Sequence, residues 1–472
     1  MKKLLTLGLA AGMVMAASAP ASAVDVKMDG TFLFWYDWAK SYNTAKGASN
    51  AQYEKVTIGA TFTASEALSG YFQLMGKWSM GNAKHGAHAA ADSFALDAGG
   101  GGLGNYPEAV IYKAYIDWLV PGTDLKIRMG RQNLALPHTA MVKNPVIWQS
   151  GFADGISASY KFCDKFNVAG WWARYDRQDS AGVGFQTHKA NTADLFALIG
   201  TAKINGFQFQ PYFAFAAVDK NAISSTCNGF KNGPRGWEDS NDTYWFGIGA
   251  QMTLFDPLVV KADFIYGDRD WRHADVYEGS QHGWVIDGSV SYKTAYGTPS
   301  LSAWYGSGDG KGASYRGQKH LPSIIGRNGI SQGFFNGTYL QDNVMVNDDG
   351  NCQTYAGTWG VKLAMDGISF LQDLKHGVAV VYGQGTNDAR ALKAAAGYAG
   401  SMNPWQYMTE KDSFVEFDFT TTYKIYKNLS ADFSLAYVIE DFKTSKSGGS
   451  FAGRANKYDN GWGIGAQIKY AF

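Results

Sequence analysis

Apolar and polar residues alternate along most of this chain. In the run Gly461 to Phe472, every second residue from Trp462 onward is apolar or small, while Gln467 and Lys469 hold positions between them. A period of two marks a strand with one greasy face and one wet face. The same pattern predicts strands over Val26 to Tyr36, Lys55 to Ala64, Gly70 to Met80, Ala109 to Val120, Leu125 to Gln132, Gly155 to Phe162, Val168 to Arg177, Asp194 to Ile204 and Phe207 to Val218. It continues over Thr243 to Phe255, Leu258 to Asp268, Gly283 to Lys293, Ser300 to Gly306, Tyr355 to Met365, His376 to Gly385, Ser413 to Tyr426, Leu429 to Phe442 and Gly461 to Phe472, about eighteen strands in all. Asp194 to Ile204 and His376 to Gly385 are apolar on both faces in their middles, so sixteen is the alternative count.

The connections alternate in length. Pro121-Gly122-Thr123-Asp124, Asn205-Gly206, Asp256-Pro257 and Lys427-Asn428 are tight turns, whereas the intervening connections are long, such as Gly81 to Glu108, Asn133 to Asp154 and Ser307 to Thr354. All short turns then fall at one end and all long loops at the other. No uncharged apolar stretch after Ala23 reaches the 18 or so residues of a membrane helix, which excludes a helical membrane protein. In hydrocarbon every backbone N–H and C=O needs an internal partner, so the fold class that fits is all-β: a closed transmembrane antiparallel barrel.

A lysine or arginine facing lipid near the midplane costs about 2 to 4 kcal/mol, which assigns the faces. In the strand from Ser413, Val415, Phe417 and Phe419 share one parity and Glu416 and Asp418 the other, so the acids face the lumen. The same rule places Lys55, Lys77, Lys113, Asp117, Lys126, Arg128, Arg174, Asp176, Lys261, Asp263, Asp287, Lys362 and Asp432 in the lumen. Arg131 falls on the lipid-facing parity, and its place at a strand end puts it at the aqueous rim or turning with the following loop. So polar an interior is a water-filled channel.

Lys2 and Lys3, the apolar run Leu4 to Ala17 and Ala21-Ser22-Ala23 have the form of a secretion signal cut after Ala23, leaving residues 24–472 as one barrel. Removing the two signal lysines from 42 basic residues leaves 40 against 41 acids, a net charge of −1. That balance argues against a nucleic-acid partner. Three cysteines rule out a disulfide scaffold, although Cys227 and Cys352 fall in loops of an oxidising compartment and could pair.

Lys126-Ile127-Arg128-Met129-Gly130-Arg131-Gln132-Asn133 ends the fifth strand and opens the third long loop, and Gly155-Ile156-Ser157-Ala158-Ser159-Tyr160 is the returning strand. With the terminal Phe472, the leader and the loop parity, this resembles the Gram-negative outer-membrane porins, and within them the homotrimeric porins of sulfate-reducing bacteria. The resemblance implies bacterial outer-membrane localisation in contact with lipid, insertion by the barrel assembly machinery with Phe472 as assembly signal, and passive diffusion of small hydrophilic solutes and ions. It also implies a homotrimer held through barrel walls near the termini, with residues 81–108 reaching over a neighbour. Residues 133–153 would be the constriction loop, facing a basic wall on the third to seventh strands.

That loop has no acid between Asn133 and Ala153 but carries His138 and Lys143. The expected pore-lining set is Lys77, Lys113, Asp117, Lys126, Arg128, Arg131, His138, Lys143, Arg174, Glu416, Asp418 and Asp432, with a basic and an acidic wall and a weak lean toward anions. A substrate-specific channel for a sugar or organic acid is the main alternative, although inward Trp245 and Tyr212 are too few for an aromatic ladder. A barrel enzyme would need a catalytic cluster at the rim, and no nucleophile elbow or H-E-x-x-H string appears. His85 with His88 lacks a third ligand, and Asn347, Asp349 and Asn351 lack the bidentate acid of a calcium loop. No catalytic group, metal or cofactor is therefore expected.

Overall fold

The computed structural model describes residues 24–40, 49–79, 108–140, 144–146, 151–176, 192–219, 240–273, 277–312, 317–323, 357–391, 408–441 and 460–472. Residues 1–23, expected from the sequence to be a secretion signal, residues 81–107 of the second long loop, Lys143, Cys227 and Cys352 lie outside the described residues.

Among the described residues, nineteen strands form one sheet: β1 (Asp25–Lys40), β2 (Ser49–Ser65), β3 (Leu68–Ser79), β4 (Glu108–Leu119), β5 (Leu125–Leu134), β6 (Gly151–Cys163), β7 (Phe166–Asp176), β8 (Thr192–Ile204), β9 (Phe207–Val218), β10 (Ser240–Met252), β11 (Leu258–His273), β12 (Tyr277–Tyr292), β13 (Thr298–Gly306), β14 (Gly317–Gln318), β15 (Thr358–Leu371), β16 (Leu374–Gly385), β17 (Ser413–Tyr426), β18 (Leu429–Asp441) and β19 (Gly461–Ala471). Eighteen pair with their sequence neighbours as antiparallel staves, and β1 pairs with β19 to close the barrel. The two-residue β14 is no stave; it lies parallel to β12. No described helix is long and apolar enough to cross a membrane.

The staves match the alternating runs, and the main difference is length at the long-loop end. β11 continues to His273 and β12 starts at Tyr277, because Arg269, Asp270, Trp271 and Arg272 keep pairing with Gln281, Ser280, Gly279 and Glu278 beyond the apolar band. At the other end the turns are tight. Asn205 and Gly206 both have positive φ, the geometry of a two-residue hairpin whose twist matches its strands.

Burial confirms the alternation. On β10, Asn241, Thr243 and Trp245 are buried inside while Tyr244, Phe246 and Ile248 are exposed outside. Large apolar side chains cover the exterior on all sides, for example Phe34, Ile58, Ile156, Leu198, Phe264, Leu301, Leu363 and Phe417. Aromatic and apolar residues gather at the short-turn end, including Phe162, Phe255, Tyr296, Phe370 and Tyr426. An apolar outer belt over a polar interior is the reverse of a water-soluble protein.

The chain terminus closes this end. The Phe472 and Gly30 backbones exchange two hydrogen bonds of 3.0 and 3.1 Å, and the Phe472 ring packs on Phe32 at 5.9 Å between centroids. A Cβ at Gly30 would lie 2.4 Å from the Phe472 ring. Phe472→Asp would put a carboxylate into this apolar ring cluster, so folded barrel in the outer membrane should fall and precursor or degraded chain should collect in the periplasm. Heat-modifiable barrel at normal abundance would contradict this.

Candidate functional site

The third long loop turns into the barrel. Leu134, Leu136 and Val146 are buried inside, and the Trp171 indole donates to the Ala135 carbonyl at 3.3 Å. This explains why β8 is apolar on both faces: inward Leu195 and Ala197 share the buried interior with the loop root, while Phe196 and Leu198 face outward. The loop then reaches the wall made by β9 to β12. Asp263 of β11 accepts hydrogen bonds from the backbone N–H of Thr139 at 2.9 Å, of Ala140 at 2.6 Å, and from the Thr139 hydroxyl at 2.9 Å. Asn144 donates to the Pro137 carbonyl at 3.0 Å and to the Tyr212 hydroxyl at 3.2 Å, and accepts from the Val146 N–H.

His138 sits at the centre of this contact with its side chain fully buried. Its Nε2 is 3.2 Å from Asp287 and its Nδ1 is 3.8 Å from Asp263. Burial alone would lower its pKa, but the Asp287 and Asp263 carboxylates outweigh burial and hold it above the ordinary histidine value. When protonated, the ring bridges two acids that would otherwise repel each other. One ligand atom from each of the three residues falls within 4.8 Å of the others, so the group has the donor set of a cation site. Asp263 already accepts three hydrogen bonds from the loop, however, and the arrangement serves as a clamp between loop and wall.

A second segment reinforces the first. Ser323 donates to the Pro145 carbonyl at 2.8 Å, and its own carbonyl accepts from Arg269 at 2.9 Å. Trp245 donates to the Pro322 carbonyl at 2.8 Å, and Gln281 donates to the His320 carbonyl at 3.1 Å. His320 in turn lies 3.2 Å from Asp309, whose N–H donates to Asn387 at 2.8 Å. Inward Trp245 and Tyr212 thus hold inserted loops. Gly283 marks how close the second segment lies, since a Cβ there would sit 2.3 Å from the His320 carbonyl carbon. Gly283→Leu should push residues 317–323 off the wall and raise single-channel conductance in planar bilayers.

Basic and acidic groups line different parts of the interior. Arg128 is paired with Asp117 through two hydrogen bonds of 2.6 and 2.8 Å and lies over the Tyr115 ring at 3.8 Å; Lys126 is 3.1 Å from the same carboxylate. Lys113 lies over the Tyr71 ring at 6.0 Å, and Tyr71 donates to Asp29 at 2.9 Å. Across the barrel, Glu416, Asp418 and Asp432 are buried on the inward face, with Asp432 accepting from Thr422 at 2.6 Å and Gln467 at 3.2 Å. The Lys77 backbone is in register with Lys55 and Glu108, but its side chain lies outside the described residues, as does that of Asp176.

Three expectations need correction. Arg174 does not face the lumen: Trp171 and Ala173 are the buried inward residues of β7, and Arg174 stands outward, pairing with Asp194 at 2.7 Å. The cost rule misleads there because adjacent Trp171 and Trp172 leave both faces apolar, while the arginine is neutralised by its cross-strand partner. Arg131 is also no lumen residue. It points outward 3.6 Å from Asp154, while its neighbour Gln132 is buried inside and hydrogen-bonded to Ser157 at 2.7 Å. His138 is enclosed in the clamp, so the loop meets an acidic pair on β11 and β12, away from the basic wall.

No family model matches the sequence, and no curated protein matches it. The fold is shared with solved outer-membrane porins. OpdL of Pseudomonas aeruginosa has TM-score 0.54 at 10% identity, covering 95% of this chain and 99% of its own. OccAB3 of Acinetobacter baumannii has TM-score 0.53 at 12% identity, covering 95% and 100%. OccK2 (OpdF) of Pseudomonas aeruginosa, solved in complex with glucuronate, has TM-score 0.53 at 10% identity, covering 95% and 98%. At such identities the likeness is one of fold.

Proposed function

We propose that this chain is an outer-membrane channel giving small hydrophilic solutes and ions passive passage. The observation that carries this reading is a closed barrel, apolar outside and polar within, whose interior is narrowed by a loop clamped to the opposite wall. The reading takes residues 1–23 as a cleaved signal, Phe472 as the signal for the barrel assembly machinery, and the assembly as a homotrimer akin to the porins of sulfate-reducing bacteria; these points rest on the sequence resemblance.

A narrower reading, a channel preferring small organic anions, has one specific support. Lys113, Lys126 and Arg128 share one inward wall, two of them over tyrosine rings, and among the described residues only Asp117 directly offsets the Lys126–Arg128 pair. Within the roughly 8 Å screening length of physiological salt, such a wall biases permeation. The expected result in a KCl gradient is a weakly anion-selective reversal potential that falls with Lys126→Glu combined with Arg128→Glu. Strong cation preference in the unaltered protein, or no response to the double reversal, would sink the anion reading. Absence of any conductance would sink the channel.

A further inference from the structure

We propose that His138, Asp263 and Asp287 form a binding site for a divalent transition ion of the zinc class, which ties the inserted loop to the barrel wall. Asp263 of β11 and Asp287 of β12 stand opposite each other in register on neighbouring strands, so two donors come from the rigid wall. His138 brings the third from the loop. One donor atom from each residue lies within 4.8 Å of the others, and the His138 Nε2 is 3.2 Å from the Asp287 carboxylate. Two donors around one ion have such a spacing, since bonds of about 2.0 to 2.2 Å in a tetrahedron separate neighbouring donors by about 3.3 Å. The spacing also suits a hydrogen bond, so the ring holds either a proton, as in the clamp described above, or the ion.

Charge favours the ion. All three side chains are buried, and two carboxylates with a protonated ring sum to −1, whereas two carboxylates with a neutral ring and a divalent ion sum to zero. Buried charge is costly unless paired, so the ion neutralises what one proton leaves over. The loop's own hydrogen bonds also leave it an oxygen. On Asp263 the Thr139 hydroxyl and the Ala140 N–H reach Oδ2 and the Thr139 N–H is shared by both oxygens, while Oδ1 faces His138. Gly249 of β10, paired with Asp263, keeps the space beside that oxygen open, since a Cβ there would lie 2.7 Å from it. The three loop donors hold the carboxylate in one orientation, as outer hydrogen bonds do for metal ligands.

The donor set selects among ions. Calcium takes about six to eight oxygens and magnesium keeps several waters, and neither habit suits one imidazole and two carboxylates enclosed by loop and wall. Imidazole with carboxylate suits zinc and its neighbours. Zinc has no geometric preference of its own, so it accepts a set that departs from a regular tetrahedron, and three protein donors leave its fourth position to water. The loop, which carries a single donor, is the part that draws in.

To test the site, untagged full-length protein, shown by heat-modifiability to be folded barrel, is stripped with a chelator and dialysed against micromolar zinc chloride at pH 8, and bound zinc is measured by elemental analysis. The expected result is about one zinc per barrel. Affinity should fall in His138→Ala and in Asp287→Asn by more than the roughly 10- to 100-fold that loss of an outer partner costs, and stay unchanged in His85→Ala combined with His88→Ala. Asp287→Asn, the same shape as the residue it replaces, keeps the test open if His138→Ala does not fold. No zinc on the folded unaltered protein, or equal zinc on the folded His138 and Asp287 variants, overturns the site. A second arm rests on the channel reading: in planar bilayers at pH 8, zinc should lower open-channel noise relative to chelator in the unaltered protein and not in His138→Ala. Noise that zinc leaves unchanged in the zinc-loaded protein overturns the tie between loop and wall. Bound zinc in a barrel that never conducts upholds the site and sinks the channel reading.

Discussion

Asp263→Ala is expected to give the largest change in conductance of any single substitution in the interior. One carboxylate accepts the Thr139 and Ala140 backbone N–H groups and the Thr139 hydroxyl, and it also faces His138, so its loss removes the main anchor of the inserted loop. Hydrogen bonds to a charged group contribute about 1.5 to 3 kcal/mol each, so losing several shifts the loop from docked toward undocked by roughly a hundredfold or more. The barrel should survive, because its closure depends on the strand ladder and the outer apolar belt. Planar-bilayer recordings should show larger and noisier unitary currents with heat-modifiability retained. Asp263→Asn should lie between, since an amide oxygen can accept from the loop but cannot stabilise the imidazolium. Currents of unaltered size in Asp263→Ala would show that residues 134–146 do not set the narrowest passage.

The barrel was legible in the sequence because the pleat gives each strand a strict period of two, and lipid outside with water inside makes that period visible in residue type. Turn chemistry added the rest: Asn205-Gly206 and Lys427-Asn428 sit where short hairpins must be. Faces failed where the physical contrast vanished. Around Trp171-Trp172 both sides of β7 are apolar, one against the inserted loop and one outward, so parity had to be inferred from Arg174 and came out inverted. The clamp was not legible at all. His138 lies in a loop, Asp263 and Asp287 on strands more than a hundred residues later, and no local spacing ties them together. The one available signal was the pair of acids on the inward parity of neighbouring strands, opposite each other in register, which calls for a cation from elsewhere in the barrel.

Loop docking should also depend on pH, with a sign fixed by His138. Its pKa in the folded protein lies above the ordinary histidine value, because Asp287 and Asp263 outweigh the burial that opposes protonation. The charged ring therefore contributes its full stabilisation below about pH 6.5, and that contribution is lost as pH rises through the elevated folded value. Above it a neutral imidazole leaves the two carboxylates facing each other at the loop contact. Tyr212, buried nearby, donates no compensating positive charge, and Asn144 beside it is neutral. Unitary conductance and open-channel noise should accordingly rise as pH is raised from 6 through 9. His138→Gln should show the high-pH behaviour throughout and lose the titration, while Asp287→Asn should leave a smaller change shifted to lower pH, since one of the two acids supporting the charge is gone. A flat conductance from pH 6 to 9 in the unaltered protein, or an unchanged titration in His138→Gln, would remove the histidine from any part in holding the loop.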